Sequence, residues 1–337
     1  MAHFSNFSLI YILSFLIATT LLLHPALSAT AKCNPEDRKV LFQIKTALNN
    51  PYHLASWRTD LDCCSWYCVD CDPITHRITA LTIFSGNISG QIPPQVGNLP
   101  YLETLIFRHL TNVTGTIPST ISNLKHLKMV RLSYTNLSGT IPEFFSTLSN
   151  LTYLDLSFND LTGPLPKSIN KLTNLGALHF DRNKLTGSIP ESYGHFTGTI
   201  PNLYLSHNNL SGEIPASLGQ GGFSLIDLSR NKLEGDATSL LGKNNSVYSL
   251  DISRNLFMFD FGKVEFPAGL SYLDINHNKI YGNIPKTMTE LSELNFFNAS
   301  YNRLCGAIPI GGKLQSFDNT TYFHNRCLCG SPLPACK

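Results

Sequence analysis

One pattern dominates this chain. The motif L-x-L-x-x-N-x-L-x-G-x-I-P recurs ten times, with its first strand position at Leu81, Leu105, Val130, Leu154, Leu178, Leu203, Ile226, Leu250, Leu273 and Phe297. Successive units are 23 to 25 residues apart. A unit this short cannot bury its own apolar side, so its stability comes from stacking on its neighbours. The repeat therefore demands an elongated solenoid with one continuous core, and overrides the two-domain expectation for 337 residues.

The period and pattern are those of leucine-rich repeats. Writing n for the first strand position, residues n and n+2, such as Leu154 and Leu156, point inward from a short strand. Residues n−1, n+1 and n+3 point outward. Position n+5 is Asn in seven units, at Asn159, Asn183, Asn208, Asn231, Asn255, Asn278 and Asn302. An amide there can satisfy backbone groups where the chain leaves the strand. The Gly at n+9 and Pro at n+12, as in Gly163 and Pro166, shape the return, and L-x-G-x-I-P resembles the plant type of this repeat. Parallel strands about 4.8 Å apart give a concave strip of roughly 43 Å, which suits a protein or polymer ligand. Repeats 7 and 8 lose the Ile-Pro pair, and repeat 2 carries an extra residue between Phe107 and Val113. The expected fold is an α/β repeat solenoid: a right-handed superhelix of ten plant-type repeats with a parallel concave sheet and stapled caps.

The ends fit that reading. Residues Ile10 to Leu23 form an apolar run with no charge before Lys32, too short to span a bilayer but suited to a signal peptide. Ala26 and Ser28, or alternatively Ala29 and Ala31, suit a cleavage site. The organisation expected is a signal peptide at 1–28, an N-terminal cap at 29–76, repeats at 77–304 and a C-terminal cap at 305–337. Asn34-Pro35-Glu36-Asp37 starts a helix whose stripe Val40, Leu41, Ile44 and Leu48 covers the first repeat, with Trp57 and Trp66 in the same cap.

Nine cysteines fall only at the ends: Cys33, Cys63, Cys64, Cys68 and Cys71 in front, and Cys305, Cys327, Cys329 and Cys336 behind. In a secreted chain they read as disulfides over the termini, with one thiol left over. Cys68-x-x-Cys71 has no second such pair to complete a zinc site, so no metal and no cofactor are expected. A net charge of +2 implies no nucleic-acid partner, and no later apolar run implies a membrane. No nucleophile elbow, metal-ligand set or phosphate loop is present. Asp227 and Asp251 could imitate a glycosidase pair, but an open strand face cannot exclude water. The chain is expected to be no enzyme, and monomeric.

The strand face carries two contrasting columns. Position n+1 reads Thr82, Ile106, Arg131, Asp155, His179, Tyr204, Asp227, Asp251, Asp274, Asn298, and Asp181 at n+3 adds a further acid. Position n+4 reads Ser85, His109, Tyr134, Phe158, Arg182, His207, Arg230, Arg254, His277, Tyr301. Nine of the eleven histidines lie beyond residue 28. At pH 5 an unperturbed imidazole is roughly 97% protonated, which would take the charge from +2 towards about +11 with most acids still ionised.

Four segments carry a family resemblance: Cys63-Cys64-Ser65-Trp66-Tyr67-Cys68, Asp181 to Gly187, Tyr204-Leu205-Ser206-His207-Asn208, and the run from Gly311 through Gly330. On these the chain resembles the plant polygalacturonase-inhibiting proteins along its whole length. The resemblance implies the pairs Cys33–Cys63, Cys64–Cys71, Cys305–Cys327 and Cys329–Cys336, with Cys68 free. It implies a secreted, extracellular protein of the plant cell wall (the apoplast) that binds fungal, and some insect, endopolygalacturonases through its concave face in plant defence.

The matching positions imply enzyme-binding acids at Asp155, Asp181 and Asp227, and pectin- or homogalacturonan-binding bases at His207, Arg230 and Arg254. At a fourth basic position of that row this sequence departs from the family pattern and carries Asn276. Arg182 extends the basic row, and Phe158, Tyr204 and Tyr248 are of the type that anchors interfaces. Gly176 and Tyr248 fall at n−2, where relatives differ and select targets. Candidate glycosylation sequons stand at Asn87, Asn112, Asn136, Asn150, Asn209, Asn244, Asn298 and Asn319. The competing readings are a ligand-sensing repeat protein and an ice-binding protein; the latter needs a flat, regular array of Thr or Asn.

Overall fold

The computed structural model describes residues 32–337; the expected signal peptide and its cleavage site lie outside the described residues. Each repeat contributes one short strand to a parallel sheet on the concave side. Ten such strands run from Ile78–Phe84 through Thr104–Gly115, Met129–Thr140, Tyr153–Asp155 and Ala177–His179 to Phe296–Asn298. They pair in register at the n position, so Leu154 lies beside Leu178 and Leu250 beside Leu273. Leucines and isoleucines at n, n+2 and n+7 are fully buried in one continuous core.

A second parallel sheet flanks the first, built by the L-x-G segments Asp160–Gly163, Lys184–Gly187, Asn209–Glu213, Lys232–Gly235 and Leu256–Phe257. Sequence reasoning expected only the concave sheet. The signal for this one is the n+9 glycine, which takes φ of +78° at Gly163 and +80° at Gly187, a conformation natural to glycine. The convex side is short 3₁₀ turns, one per repeat in most units, such as Glu143–Thr147 and Lys286–Glu290. Where repeats 7 and 8 lose Ile-Pro, phenylalanines fill the space: Phe257, Phe259 and Phe261 are all buried, and Phe261 packs edge-on to Phe266.

The n+5 asparagines form a buried ladder. The Asn208 amide donates to the carbonyls of Leu205 and Ser206 in its own repeat and of Phe180 in the preceding one. Its oxygen accepts from Leu185 N. The same pattern repeats from Asn159 to Asn302, and Asn325 of the C-terminal cap adds one more rung against Ala299 O and Leu304 N. Repeats 1 to 3 carry Gly86, Leu110 and Thr135 instead. There the strands Thr104–Gly115 and Met129–Thr140 run on without the turn, with a register shift at the extra residue of repeat 2.

The front cap is a helix, α1 (Pro35–Ala47), with Asn34 accepting from Glu36 N and Asp37 N. Leu41, Ile44 and Leu48 are buried against the first repeat. Asp37, read from sequence only as a first-turn acid, is itself buried and takes two hydrogen bonds from Arg77, at 2.7 and 2.8 Å, and one from Ile78 N. Trp57 and Trp66 stack with centroids 5.6 Å apart. Disulfides Cys33–Cys63 and Cys64–Cys71 close this cap, Cys305–Cys327 and Cys329–Cys336 the other, and Cys68 is free. Burial pushes the Cys68 thiol up to about 12, which makes it a poor nucleophile.

Replacing Asn208 by Ala leaves a buried amide and carbonyls without partners, at about 1–3 kcal/mol for each orphaned group. The expected result is a large fall in melting temperature by circular dichroism. The same change at the exposed Asn209 should leave it nearly unmoved.

Candidate functional site

The concave surface is built by two backbone positions per repeat. Position n+1 lies in the strand. Position n+4 is left-handed in every repeat, with φ between +51° and +55° from Ser85 to Tyr301, and again at His324 in the cap. Non-glycine residues rarely adopt this region, and the conformation persists where surrounding structure enforces it. In repeats 4 to 10 the rung asparagine at n+5 pins the turn, but Ser85, His109 and Tyr134 take the same conformation without it, so the stacking of the repeats imposes it throughout. The sequence marked n+4 as a column of rings and bases but gave no sign that its backbone is unusual.

The n+4 side chains form a ladder of their own. His109, Tyr134 and Phe158 stack at centroid distances of 4.3 and 3.8 Å, and Arg182 lies 4.8 Å over Phe158. At the other end His277, Tyr301 and His324 stack at 4.0 and 4.1 Å. Between these stacks stand His207, Arg230 and Arg254. None of the three arginines of the row (Arg182, Arg230, Arg254) makes a salt bridge among the described residues.

The n+1 acids Asp227, Asp251 and Asp274 line the same groove, of about 480 Å³, together with Asp181 at n+3. Strand register sets Asp227, Asp251 and Asp274 side by side. Each is held by residue n+3: Ser229 N and Oγ donate to Asp227 at 3.0 and 2.7 Å, Ser253 N to Asp251, and Asn276 N and Nδ2 to Asp274. Burial raises Asp251 to about 6, assisted by Asp274 and Asp227; it raises Asp274 as well. Neither acid was selected from sequence as a site residue, because the Leu-Asp dipeptide is common to such repeats. The informative signal was three acids at one column in consecutive units.

Asp155 requires a correction. The resemblance implies an enzyme-binding acid here, but its side chain is only 2% exposed. Register places it beside Arg131, whose Nε lies 2.7 Å from Oδ2, while Ser157 holds Oδ1. Its charge is neutralised within the sheet, so it can act on a partner only by fixing Arg131. Asp181 and Asp227 are half-buried and open to the groove.

The histidine reading also changes. Burial holds His207 below the usual imidazole range, reinforced by Arg182 and Arg230, and burial with Arg254 does the same to His277. These two are therefore less protonated at pH 5 than free imidazole, and Asp251, expected ionised, is largely neutral there.

Tyr204 stacks on His179 at 4.2 Å, and Phe158 is held in its ring stack. Tyr248 is 46% exposed at the strand edge. Gly176 is exposed at the equivalent edge, and a Cβ there would meet only Thr152 O at 3.5 Å, an ordinary contact. A larger side chain fits there without strain. The sequons at Asn112, Asn136 and Asn209 sit in exposed positions of strands at the lateral sheet, with Asn87 just before its first strand. Asn150 and Asn244 lie in turns and Asn319 opens a cap 3₁₀ turn. Asn298 alone of the eight lies on the concave strip, beside Asp274. Among the described residues no helix is long and apolar enough to cross a membrane.

Residues 34–72 match the leucine rich repeat N-terminal domain, residues 100–161 and 125–185 match the leucine rich repeat family, and residues 201–220 a further repeat family. The chain is 64% identical to polygalacturonase inhibitor 1 of Arabidopsis thaliana over 90% of its length and 93% of that protein. It is 62% identical to the polygalacturonase inhibitor of Vitis vinifera, over 96% of this chain and 98% of the other. Among solved structures, a plant ice-binding protein superposes with a TM-score of 0.88 at 50% identity, over 91% of this chain and 99% of that one.

Two measurements check the electrostatics. Arg131→Met strands a buried carboxylate and should cost roughly 3–5 kcal/mol of stability, read by denaturant unfolding; adding Asp155→Asn should recover most of it. Arg182→Gln should raise the His207 pKa, followed by imidazole NMR, without restoring it fully, because burial remains.

Proposed function

The chain belongs to the polygalacturonase-inhibitor family of leucine-rich-repeat proteins, and from that premise we propose that it binds and inhibits fungal endopolygalacturonases through the concave groove of repeats 4 to 9. It is an inhibitor of enzymes, acting in the plant cell wall outside the cell, and it limits pectin degradation. The observation that carries this reading is the pair of parallel rows: carboxylates at Asp181, 3.7 Å from His179, and at Asp227, with Asp251 and Asp274 continuing them, beside Arg182, Arg230 and Arg254, which make no salt bridge among the described residues, and His207. An enzyme that holds a polyanion presents Lys and Arg around its cleft, and the acid row is complementary to that rim. Such complementarity mainly speeds encounter and selects partners. The cationic row suits the carboxylates of pectin or homogalacturonan, which arginine takes in two-pronged hydrogen bonds. Phe158, Tyr204 and Tyr248 supply apolar anchors, and the open space at Gly176 with Tyr248 tunes which enzymes fit. Asp155 contributes by holding Arg131.

Ice binding is disfavoured by the lateral sheet. Its exposed hydroxyls Thr162, Thr186 and Ser211 are interleaved with Lys184, Lys232 and the half-buried Asp160, which breaks the flat array ice requires.

The test is an inhibition assay with secreted protein and several fungal endopolygalacturonases, counting reducing ends released from polygalacturonate. Inhibition of at least one enzyme is expected. Asp181→Lys with Asp227→Lys should weaken it at least tenfold, with Asp227→Asn, which keeps an acceptor for Ser229, as the folded control. Unimpaired inhibition by the double variant would remove the acid row from the interface.

A further inference from the structure

The n+1 column contains two acids with opposite surroundings. Asp155 has an arginine as its register neighbour and is paired at 2.7 Å. Asp251 has carboxylates on both sides, Asp227 on one strand and Asp274 on the other. Adjacent parallel strands set such neighbours about 4.8 Å apart. Ser253 N holds one oxygen of Asp251, and no cation forms a salt bridge to any of the three acids among the described residues. From the neighbouring strand it meets the phenol of Tyr272, which burial pushes up to about 12 and which is therefore uncharged at wall pH. From the turn row it faces Arg230 and Arg254, with His207 and His277 beyond them. Both histidines are held below their ordinary range, so the arginines carry most of that row's charge near pH 6.

We propose that Asp251, flanked by Asp227 and Asp274, is a proton switch that exchanges the partner favoured by the concave groove. Like charges set directly opposite on neighbouring strands repel, and taking up one proton relieves both contacts of the central acid. With Asp251 neutral the groove is dominated by Arg230 and Arg254 and takes a polyanion. With Asp251 ionised the acid row is complete and takes the basic rim of an enzyme. The burial-driven rise of this carboxyl to about 6 places the exchange between pH 5 and pH 7. This inference rests on the proposal that one face serves both partners.

The sign of the stability effect is fixed independently of any partner. A carboxyl with a raised folded-state pKa binds more protons folded than unfolded between about pH 4 and pH 6. The contribution of Asp251 to stability therefore falls as pH rises through that window, whatever the lowered carboxyls elsewhere add with the opposite sign.

The experiment compares the wild type with Asp251→Asn, which is isosteric, keeps an acceptor for Ser253 N and cannot ionise. Melting temperature is followed from pH 4 to 7.5, and polygalacturonate binding is measured by calorimetry at pH 5 and pH 7. Relative to the variant, wild type should lose melting temperature between pH 4 and 6, and it should bind polygalacturonate at least threefold more weakly at pH 7 than at pH 5. The variant's melting temperature should gain on that of the wild type across the same window, and the variant should retain most of its pH 5 affinity at pH 7. Endopolygalacturonase binding should move oppositely, being strengthened in the wild type at pH 7 and not in the variant. Parallel melting curves for the two proteins would overturn the switch whatever the partners do. Altered melting curves with no binding of either partner would retain the titrating acid, overturn the partner exchange and count against the functional reading instead.

Discussion

The buried asparagine ladder is the interaction on which the rest of the molecule depends. Each rung joins two carbonyls of its own repeat, one carbonyl of the repeat before and an amide that would otherwise be orphaned. From the fourth repeat on, a single side chain thus ends the strand, fixes the spacing between units and braces the turn whose preceding residue is left-handed. That residue is the one that presents Arg182, His207, Arg230 and Arg254 to the groove. Structural and functional columns are consequently adjacent in sequence and inseparable in energy. The left-handed backbone at n+4 recurs even in repeats 1 to 3, where n+5 is not asparagine, so the stacked register imposes it and the ladder reinforces it from the fourth repeat on.

Electrostatic character along the strip follows from strand register rather than from composition. In a parallel sheet with n opposite n, every n+1 residue meets the n+1 residues of its two neighbours. Arg131 beside Asp155 makes a buried neutral pair, whereas Asp227, Asp251 and Asp274 make a run of unrelieved acids. The same residue type at the same repeat position therefore has different chemistry depending on the unit next door. The stacks at either end of the n+4 row work in the same way, with His109–Tyr134–Phe158 and His277–Tyr301–His324 closing off the central bases.

Much of this was legible beforehand. The repeat fixed the solenoid, the concave sheet and the inward leucines, and the asparagine column announced its structural role. What stayed hidden were relations between units. Asp155 looked like its fellow acids until register set Arg131 beside it. Asp251 and Asp274 looked generic one at a time and became distinctive only as neighbours. The lateral sheet was written in the n+9 glycines, which read as turn residues because single repeats give no sign of pairing. The disulfide partners came from family likeness alone, since five cysteines within one cap admit many pairings. Histidine protonation was misjudged at His207 because burial and the arginines on each side are properties of the assembled face.

The ladder also has a direction. Every asparagine reaches back to the repeat before it, so each unit from the fourth to the tenth carries a hook and offers an eye to its successor, and Asn325 supplies the final hook. Copying one whole unit within that stretch leaves no hook without an eye, and deleting one leaves none unfilled. Repeats 1 to 3 have no such modularity, because their long strands and shifted register tie them to specific neighbours. The solenoid is thus a molecule of two halves under gene duplication: a fixed front, and a rear whose length, and with it the reach of its charged rows, is free to change by whole turns.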